Sequence, residues 1–245
     1  MPKADMNFVE RAFDYIDSLE DNAVTERSIT CSFGKLSAEC GFDFVTITRL
    51  PQPKVHLGPA MLLNKWSKAW LNYYDGAGLY QYDPVGQRCL ETTEPFCWSD
   101  VRYPTNDRMA SRVMNEAAEH GMRQGLCIPM HGLSGFSAVA SFAGAAPELS
   151  RRRRSALQLA SIATYGWFER RESSQREAAH LRLSPRERDV LVWTALGKTN
   201  GQVGTQLGVS SLTVRSHLER ARLKLGAVNA VSAVVEALRH REIRL

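Results

Sequence analysis

The sequence lacks any apolar run of about 18 residues, the length that a membrane-spanning helix requires. Its opening segment, MPKADMNFVERAF, also lacks the uninterrupted apolar core of a secretory signal. We therefore expect a cytoplasmic protein with no membrane partner. The content of 44% hydrophobic and 23% charged residues is ordinary for a globular protein, so the chain is expected to fold.

The sequence also lacks the patterns that mark a disulfide framework, a metal site or a hydrolase. Its 5 cysteines are odd in number and follow neither CxxC nor Cys/His ligand spacing. No GxSxG segment is present, and neither His120 nor His131 has an evident nucleophile partner. We expect no cofactor and no metal, and the enzyme alternative is disfavoured.

Charge is distributed unevenly along the 245 residues, a length that fits one or two domains of about 150 residues. Residues 176–245 contain 12 Lys/Arg against 6 Asp/Glu, a net charge of +6, whereas the rest of the chain contains 19 against 20. A basic segment of this kind is attracted to polyanions such as DNA. We expect two domains, of which only the second is basic.

The first part of the chain mixes helix-like and strand-like patterns. Residues 42–50, FDFVTITRL, alternate large apolar side chains with threonine, which is typical of a half-buried strand. Two strand-like runs, Gln124–Met130 and Phe136–Phe142, flank the turn-forming HGLSG and predict a hairpin. Helical spacing is present over residues 5–21, 23–40, 61–75, 83–92, 107–120 and 150–177. The patterns predict an α+β fold class with an antiparallel pair of strands.

The long helical run at 150–177 ends the predicted first domain, residues 1–172. Residues 173–181, SSQREAAHL, are polar and poorly patterned and are predicted as a linker, followed by a second domain over 182–245. The four arginines at 151–154 look like a nucleic-acid patch. However, consecutive helical residues point in different directions, so a solvated surface is the expectation.

The second domain begins with a strong helix signal. Ser184 can act as the N-cap, Pro185 occupies the first turn, and Glu187 completes a capping box. Gly197 is then expected to stop this helix, and a second helix is expected over Asn200–Leu207.

A third helix is predicted after the turn formed by residues 208–210. Val214, Leu218, Ala221 and Leu225 recur at intervals of four, three and four residues and form a single apolar stripe. The opposite face presents Leu212, Arg215, Ser216, Glu219 and Arg220, with Thr213, Arg222 and Lys224 at its borders, where they can reach phosphates. This layout predicts a recognition helix in the major groove of double-stranded DNA, and a helical bundle without a nucleic-acid role is the alternative.

The segments LSPRERDVLVWTALGKTN and LGVSSLTVRSHLERARLKLG resemble the helix-turn-helix of LuxR-type bacterial regulators. Glu187, Leu191, Gly197 and Lys198 match the framework of that family. The resemblance implies an all-α domain of about four helices. It also adds Lys198 and Thr199 to the expected DNA contacts.

Two positions in the second domain depart from the pattern of that family. Ala230 stands where an arginine is common, and Gly204 ends the segment QVG, where the family usually has a triplet of the Glu-Ile-Ala type. The glycine is expected to loosen the second helix by about 1 kcal/mol relative to alanine.

A set of aromatic, acidic and small residues in the first domain carries a second resemblance. These residues are Trp70, Tyr74, Asp83, Pro84, Trp98 and Gly125, in the segments WLNYYDGAGLYQYDPV, PFCWSD and HGMRQGLCIP. Their order and spacing resemble the autoinducer-binding domain of LuxR-type receptors. The resemblance implies an α/β/α sandwich around a central antiparallel sheet, with an acyl-homoserine lactone as the ligand.

The chemistry of these residues suits that ligand, which offers one N–H donor and two carbonyl acceptors. The resemblance implies that Asp83 accepts from the amide N–H and that the Trp70 indole donates to the lactone carbonyl. Tyr74 and Trp98 would form walls, and Ser141 would lie near the acyl carbonyl or its 3-substituent. The alternative is that the aromatic residues are ordinary core and that Asp83 is only a helix N-cap.

Trp66 departs from the family pattern of the first domain. Four residues before Trp70, members commonly have a tyrosine whose hydroxyl helps to hold the acyl carbonyl. An indole is larger and donates from a different place. The pocket near the amide is therefore expected to have an altered shape that favours a short, branched or aromatic acyl group.

The two resemblances together predict a ligand-responsive transcription factor. Ligand burial is expected to complete the core of the sensor domain, and two chains are expected to pair chiefly through the helix at 150–177. The homodimer would place two recognition helices on a pseudo-palindrome, with RNA polymerase as a further partner if the protein is an activator. A ligand-independent regulator, or an anti-activator that acts through DNA binding or dimerisation alone, is the remaining alternative.

Overall fold

The computed structural model describes residues 3–21, 23–49, 57–132, 135–178, 183–240 and 242–245. The chain divides into two compact units, and the division falls between Glu169 and Arg170. Within the described residues, none of the helices combines the length and the apolar character that crossing a membrane requires.

The first unit is built from a five-stranded sheet and six helices among its described residues. The strands are β1 (Phe44–Arg49), β2 (Met61–Asn64), β3 (Phe96–Cys97), β4 (Gln124–Gly132) and β5 (Gly135–Gly144). The helices are α1 (Lys3–Ser18), α2 (Glu26–Ala38), α3 (Lys68–Gly76), α4 (Pro84–Glu91), α5 (Arg108–Glu119) and α6 (Arg151–Ala178), the last of which continues past the division at Glu169. The sheet order is β2-β1-β5-β4-β3, and every pairing is antiparallel. The predicted α+β class and the antiparallel sheet are confirmed.

The two faces of the sheet are covered by different helices, because side chains alternate along each strand. Val45 and Ile47 of β1 are fully buried in the core that α1, α2 and α6 share with the sheet. On the opposite face, α3 and α5 pack against Phe44 and Ala143, and α4 packs against Cys127. These three layers form the expected α/β/α sandwich.

Two of the four arginines at the start of α6 anchor that helix to the first unit. Arg153 donates to Asp5 at 3.0 Å and places its guanidinium 5.4 Å from the ring centre of Phe8, and Arg154 donates to the carbonyl of Pro95. The expected solvated surface is therefore correct for the exposed residues 151 and 152, and wrong for the other two.

Three predicted segments differ from the structure. The helix expected over 61–75 is strand β2 followed by α3, because Ser67 caps the helix and residues 61–64 pair with the edge of β1. Strand β3, of 2 residues, was not predicted because it is too short to show a period. Helix α6 ends at Ala178, one residue beyond the helical run predicted over 150–177, and it includes residues 173–178 of the segment predicted as a linker. Residues 133–134 of the predicted hairpin turn and residues 179–181 of the linker lie outside the described residues.

The second unit contains four further helices among its described residues, as expected. They are α7 (Pro185–Ala195), α8 (Asn200–Leu207), α9 (Ser211–Lys224) and α10 (Ala230–Arg239). The predicted Ser184 and Glu187 capping box is present, and the predicted stripe of α9 packs inward, with Val214 and Ala221 fully buried. Gly208 ends α8 in the left-handed conformation, at φ 67°, which lets the chain turn sharply into α9.

Candidate functional site

The first unit contains a cavity of about 440 Å³ between the sheet and helices α3, α4 and α5. That volume lies in the range of pockets that hold small organic ligands. Every residue predicted to contact a ligand lines it, namely Trp66, Trp70, Tyr74, Asp83, Trp98 and Ser141. The structure therefore brings together residues that are 75 positions apart in the sequence, from 66 to 141.

Asp83 is the acidic group of the cavity, and its carboxylate is held from two sides. Its Oδ2 accepts from the Tyr74 hydroxyl at 2.7 Å, and its Oδ1 accepts from the backbone N–H of Val85 at 2.8 Å, where it caps α4. Burial raises the pKa of Asp83 above its ordinary value, and these hydrogen bonds oppose the rise. Burial also raises the pKa of Tyr74 well above its ordinary value, so the phenol stays neutral and acts as the donor.

Two indole N–H groups in the cavity wall have no hydrogen-bond partner among the described residues. They belong to Trp70 on α3 and to Trp98, which begins a short 3-10 turn after β3, and both nitrogen atoms are shielded from solvent. A buried donor without an acceptor destabilises a fold by about 1–3 kcal/mol. Such groups are uncommon in a well-packed interior, and they indicate where an acceptor is supplied from outside the chain.

The remaining wall near Asp83 is aromatic. Trp66 meets the Tyr74 ring edge-on with ring centres 5.4 Å apart, and it lies 6.3 Å from the ring of Trp70. His120 lies over the other side of Trp70 at 4.8 Å. These contacts fix the orientation of the Trp70 indole, and with it the direction of its unpaired N–H.

In the second unit, the outward face of α9 is open to solvent. Leu212 is 73% exposed, and Arg215 and Ser216 are also exposed. Glu219 accepts from Arg222 at 2.8 Å, and the exposed Arg220 lies 2.9 Å from the ring nitrogen Nδ1 of His217. Thr213 is less exposed, and its backbone N–H donates to the capping hydroxyl of Ser210 at 3.1 Å.

Both units match families of known proteins. Residues 25–166 match the family described as the autoinducer binding domain, and residues 181–237 match the family described as bacterial regulatory proteins of the luxR family. The chain belongs to the LuxR family. It is a quorum-sensing transcriptional regulator that has an autoinducer-binding domain and a DNA-binding domain.

The similarity extends over nearly the whole of this LuxR-family chain. RpaR of Rhodopseudomonas palustris, an HTH-type quorum sensing-dependent transcriptional regulator, is 37% identical over 236 residues, 96% of each protein. BjaR1 of Bradyrhizobium diazoefficiens, a transcriptional activator protein, is 32% identical over 246 residues, 97% of this chain and 99% of that protein. The crystal structure of Escherichia coli SdiA has a TM-score of 0.74 at 19% identity, over 98% of this chain and 99% of that one, which supports the fold. The relatives are regulators, so the enzyme alternative is excluded.

Lys224 of the LuxR-family domain forms an ion pair that the sequence did not predict. The sequence predicts that it reaches DNA phosphates, but its ammonium donates to Oε2 of Glu187 at 2.8 Å, and the Glu187 side chain is only 4% exposed. Burial alone would raise the pKa of Glu187, but the bonds from Lys224 and from the backbone of Ser184 outweigh it and lower that pKa. Lys224 therefore stabilises the start of α7, and its contact with a DNA phosphate stays a prediction.

The two residues that the family resemblance added at the start of α8 are both exposed. Thr199 is the N-cap, and its hydroxyl accepts from the backbone N–H of Gln202 at 3.4 Å within a capping box. Lys198 lies just before it, on the surface. Their placement leaves both side chains accessible to a partner of the second unit.

The regulator's sheet supplies a polar floor to the cavity, in which Thr46 and Cys127 join the predicted Ser141. Thr46 on β1, Ser141 on β5 and Cys127 on β4 lie side by side, because the strand registers pair Thr46 with Ser141 and Ser141 with Cys127. The Cys127 thiol donates to the Ser141 hydroxyl oxygen at 3.7 Å. The prediction of a half-buried β1 was wrong, since Thr46 is 2% and Thr48 8% exposed. The alternating threonines of β1 were the sequence signal for this polar face, and they line the cavity instead of facing solvent.

Proposed function

We propose that this regulator binds an acyl-homoserine lactone in the cavity of its first unit and binds a DNA pseudo-palindrome as a homodimer. The proposal rests on the presence, in one cavity, of a hydrogen-bond acceptor and of a donor that has no partner in the chain's described residues. Two donors leave Asp83 with capacity for a further hydrogen bond, and Trp70 has an N–H without an acceptor among the described residues, in the wall of one cavity. An acyl-homoserine lactone offers the complementary N–H and carbonyl groups.

The polar head of the ligand is assigned to the aromatic end of the cavity. Asp83 accepts from the amide N–H, and Trp70 donates to the lactone carbonyl. Tyr74 forms a wall and holds the carboxylate through its hydroxyl. Ser141 lies on the floor, where its hydroxyl can meet the acyl carbonyl or a 3-substituent.

The acyl group is assigned to a short, branched or aromatic class. Trp66 supports this assignment, because its indole stands edge-on against Tyr74 beside the head-group residues and occupies volume there. A second support is the cavity volume of about 440 Å³, which must hold the head group as well as the tail.

The substitution Asp83→Asn tests the ligand assignment. Asparagine retains an oxygen acceptor for α4 capping but loses the charge, so we expect the fold to persist and lactone affinity to fall by tenfold or more. Asp43→Asn, at an exposed position, is the matched control. The measurement is the melting temperature with and without a panel of lactones, since a ligand at 100 times its Kd stabilises the folded state by about 2.7 kcal/mol.

The outcomes of that experiment separate the candidate functions. Stabilisation of the wild-type protein and of Asp43→Asn, but not of Asp83→Asn, supports the proposal. Equal stabilisation of all three proteins contradicts the role of Asp83. Failure of the whole panel on the wild-type protein favours the ligand-independent regulator or anti-activator. Octanoyl-rac-glycerol, which is bound in a structure of SdiA, has no amide N–H and serves as a comparison ligand.

DNA recognition is assigned to the exposed face of α9. Arg215 and its neighbours Leu212 and Ser216 present free side chains there, and basic charge is concentrated in this part of the chain. Arg215→Ala is expected to weaken binding to a specific operator by about 1–3 kcal/mol, whereas Arg186→Ala on α7 is expected to leave it unchanged. Fluorescence anisotropy at fixed salt measures both, and equal effects of the two substitutions contradict the assignment.

Dimerisation is assigned chiefly to α6. Leu159 and Ile162 on that helix are 48% and 50% exposed, which leaves apolar area for a second chain. Two recognition helices would then meet half-sites about one or two helical turns apart, with RNA polymerase as a partner if the regulator is an activator. Because its target is DNA, we assign the protein to the cytoplasm. Sedimentation of the wild-type protein and of Leu159→Asp tests the interface, and an unchanged dimer contradicts it.

A further inference from the structure

The indole of Trp98 is held rigidly although it is not part of a long element. The residues just before it, Phe96 and Cys97, pair with β4, and Asp100 accepts from the backbone N–H of Cys97 at 2.9 Å. The side chain of Trp98 packs against both apolar clusters that surround the cavity. Its direction is therefore set by the fold, and so is the position of its nitrogen.

Gly125 on β4 provides the space that the Trp98 indole occupies. A Cβ atom at position 125 would lie 2.3 Å from Cε2 and 2.5 Å from Nε1 of Trp98, and 2.6 Å from the carbonyl oxygen of Phe142. Neither the ring nor the backbone could accept such contacts without moving. The absence of a side chain at Gly125 thus brings the indole close to the sheet, beside the row of Thr46, Ser141 and Cys127.

This position leaves the Trp98 N–H as a second unmatched donor of the cavity. Its nitrogen has no acceptor within the described residues, and solvent does not reach it. An aromatic wall would require only the ring, and a phenylalanine could supply that. The nitrogen would then only destabilise the empty protein, because a buried N–H without an acceptor is unfavourable.

We propose that Trp98 donates a hydrogen bond to the bound ligand, and that Gly125 positions its indole for this purpose. The inference depends on the proposed function, and it gives Trp98 a role beyond that of the wall that the family resemblance implies. It requires a ligand with two separate acceptors, one for Trp70 and one for Trp98, besides the donor that Asp83 accepts. An acyl-homoserine lactone meets that requirement, since it carries a lactone carbonyl and an amide carbonyl.

The test replaces the N–H without changing the shape of the ring. Site-specific incorporation of 3-benzothienylalanine at Trp98 exchanges the N–H for sulfur in the full-length protein, and the same replacement at Trp193 in the second unit is the control. The probes are the N-butanoyl, N-(3-methylbutanoyl) and N-benzoyl homoserine lactones, with Kd measured by calorimetry. The melting temperature of each protein without ligand is measured in parallel.

The two readouts are expected to move in opposite directions. Removing the N–H at Trp98 should leave the melting temperature of the empty protein unchanged or higher, because an unpaired donor is lost. Affinity for the lactones that the wild-type protein binds should fall about tenfold, which corresponds to about 1.4 kcal/mol. The replacement at Trp193 should leave the lactone affinity and the melting temperature of the empty protein unchanged.

The alternative results distinguish this inference from the proposed function. Lactone affinity that stays within about twofold of the wild-type value after the Trp98 replacement overturns the donor role. A lower melting temperature of the empty protein with unchanged affinity shows a purely structural Trp98, and it overturns the role as well. If the wild-type protein binds none of the three lactones, the assignment to a short, branched or aromatic acyl group fails, and the donor role of Trp98 toward these lactones fails with it.

Discussion

Two glycines of α8 are expected to respond oppositely to the same substitution, Gly→Ala. Gly201 is exposed, and nothing lies within 4 Å of the position where its Cβ would be. Gly204 is buried, and a Cβ there would lie 2.6 Å from the carbonyl oxygen of Val209. The turn between α8 and α9 folds back onto Gly204, since the Val209 N–H donates to the Gly204 carbonyl at 2.9 Å.

The magnitudes follow from these two environments. Gly201→Ala should stabilise the second unit by about 0.5–1 kcal/mol, because alanine loses less backbone entropy in a helix. Gly204→Ala gains the same amount, but its methyl group must displace a hydrogen-bonded turn, and overpacking of this kind costs about 1–3 kcal/mol. The net expectation for Gly204→Ala is a destabilisation of up to about 2 kcal/mol. This reverses the expectation from helix propensity alone, in which alanine would tighten α8.

Amide hydrogen exchange in the full-length protein measures how each substitution changes the stability of the second unit, without a contribution from the first unit. The reporters are the amides of α9, such as that of the buried Ala221, whose exchange requires the second unit to open. Slower exchange in Gly201→Ala and faster exchange in Gly204→Ala is the expected result. If both substitutions slow exchange equally, the turn is not tight at Gly204 and the steric reasoning is wrong.

Three further predictions concern the ligand site and the Glu187 pair. Because burial raises the pKa of Asp83, lactone affinity should fall as the pH is lowered through that pKa, since a protonated carboxyl accepts the amide N–H poorly; calorimetry at decreasing pH, down to the lowest pH at which the protein stays folded, checks this, and an affinity that does not fall contradicts it. The pKa of Glu187 is lower in the folded protein than in the unfolded chain, where it is about 4.3. The ionised side chain therefore stabilises the fold at pH values above about 4.3, and this stabilisation is lost as the pH falls through the folded-state pKa. Glu187→Gln keeps the capping box but should destabilise α7 by about 1 kcal/mol at pH 7. In this variant the opening free energy measured by hydrogen exchange should also depend less on pH at acid pH. A binding panel should favour N-butanoyl, N-(3-methylbutanoyl) or N-benzoyl over N-dodecanoyl homoserine lactone, and preference for the last contradicts the role given to Trp66.

The helix ends and the fold class were predictable because they depend on local chemistry. Ser184 and Glu187 form the predicted capping box, and Gly197 follows α7 with a positive φ of 77°. The stripe that includes Val214 and Ala221 packs inward as its period indicates. In these segments the residues that form each interaction lie within a few positions of one another, so the sequence pattern alone identifies them.

Other features depend on partners that are distant in the sequence, and they were missed for that reason. The ion pair between Lys224 and Glu187 joins residues 37 positions apart, so helical spacing on α9 alone indicated an outward lysine. Arg153 was expected in solvent because nothing nearby in the sequence showed its bond to Asp5, 148 positions away. Strand β2 was read as helix because a short apolar run such as MLLN has no period of its own, and only its pairing with β1 defines it.

The same limit explains why Thr46 and Cys127 of the polar floor were missed while the wall residues and Ser141 were found. Trp70, Tyr74 and Asp83 lie close together in the sequence, and their spacing carries a resemblance. Thr46 and Cys127 each alternate with large apolar neighbours along their own strands, a pattern that fits a strand with one solvent-facing side equally well. Only the sheet register, which places both beside Ser141, reveals that this face borders a cavity.

The structure also shows that the two interpretations of Asp83 are compatible. Its Oδ1 caps α4 through Val85, while Oδ2 accepts from Tyr74. A carboxylate has about four lone-pair sites, so these two donors leave capacity for a ligand N–H. The capping bonds fix the carboxylate before any ligand arrives, and a preorganised acceptor loses little entropy on binding. The helix cap is therefore a reason why Asp83 can serve as the ligand acceptor, because the element that needs the cap also holds it in place.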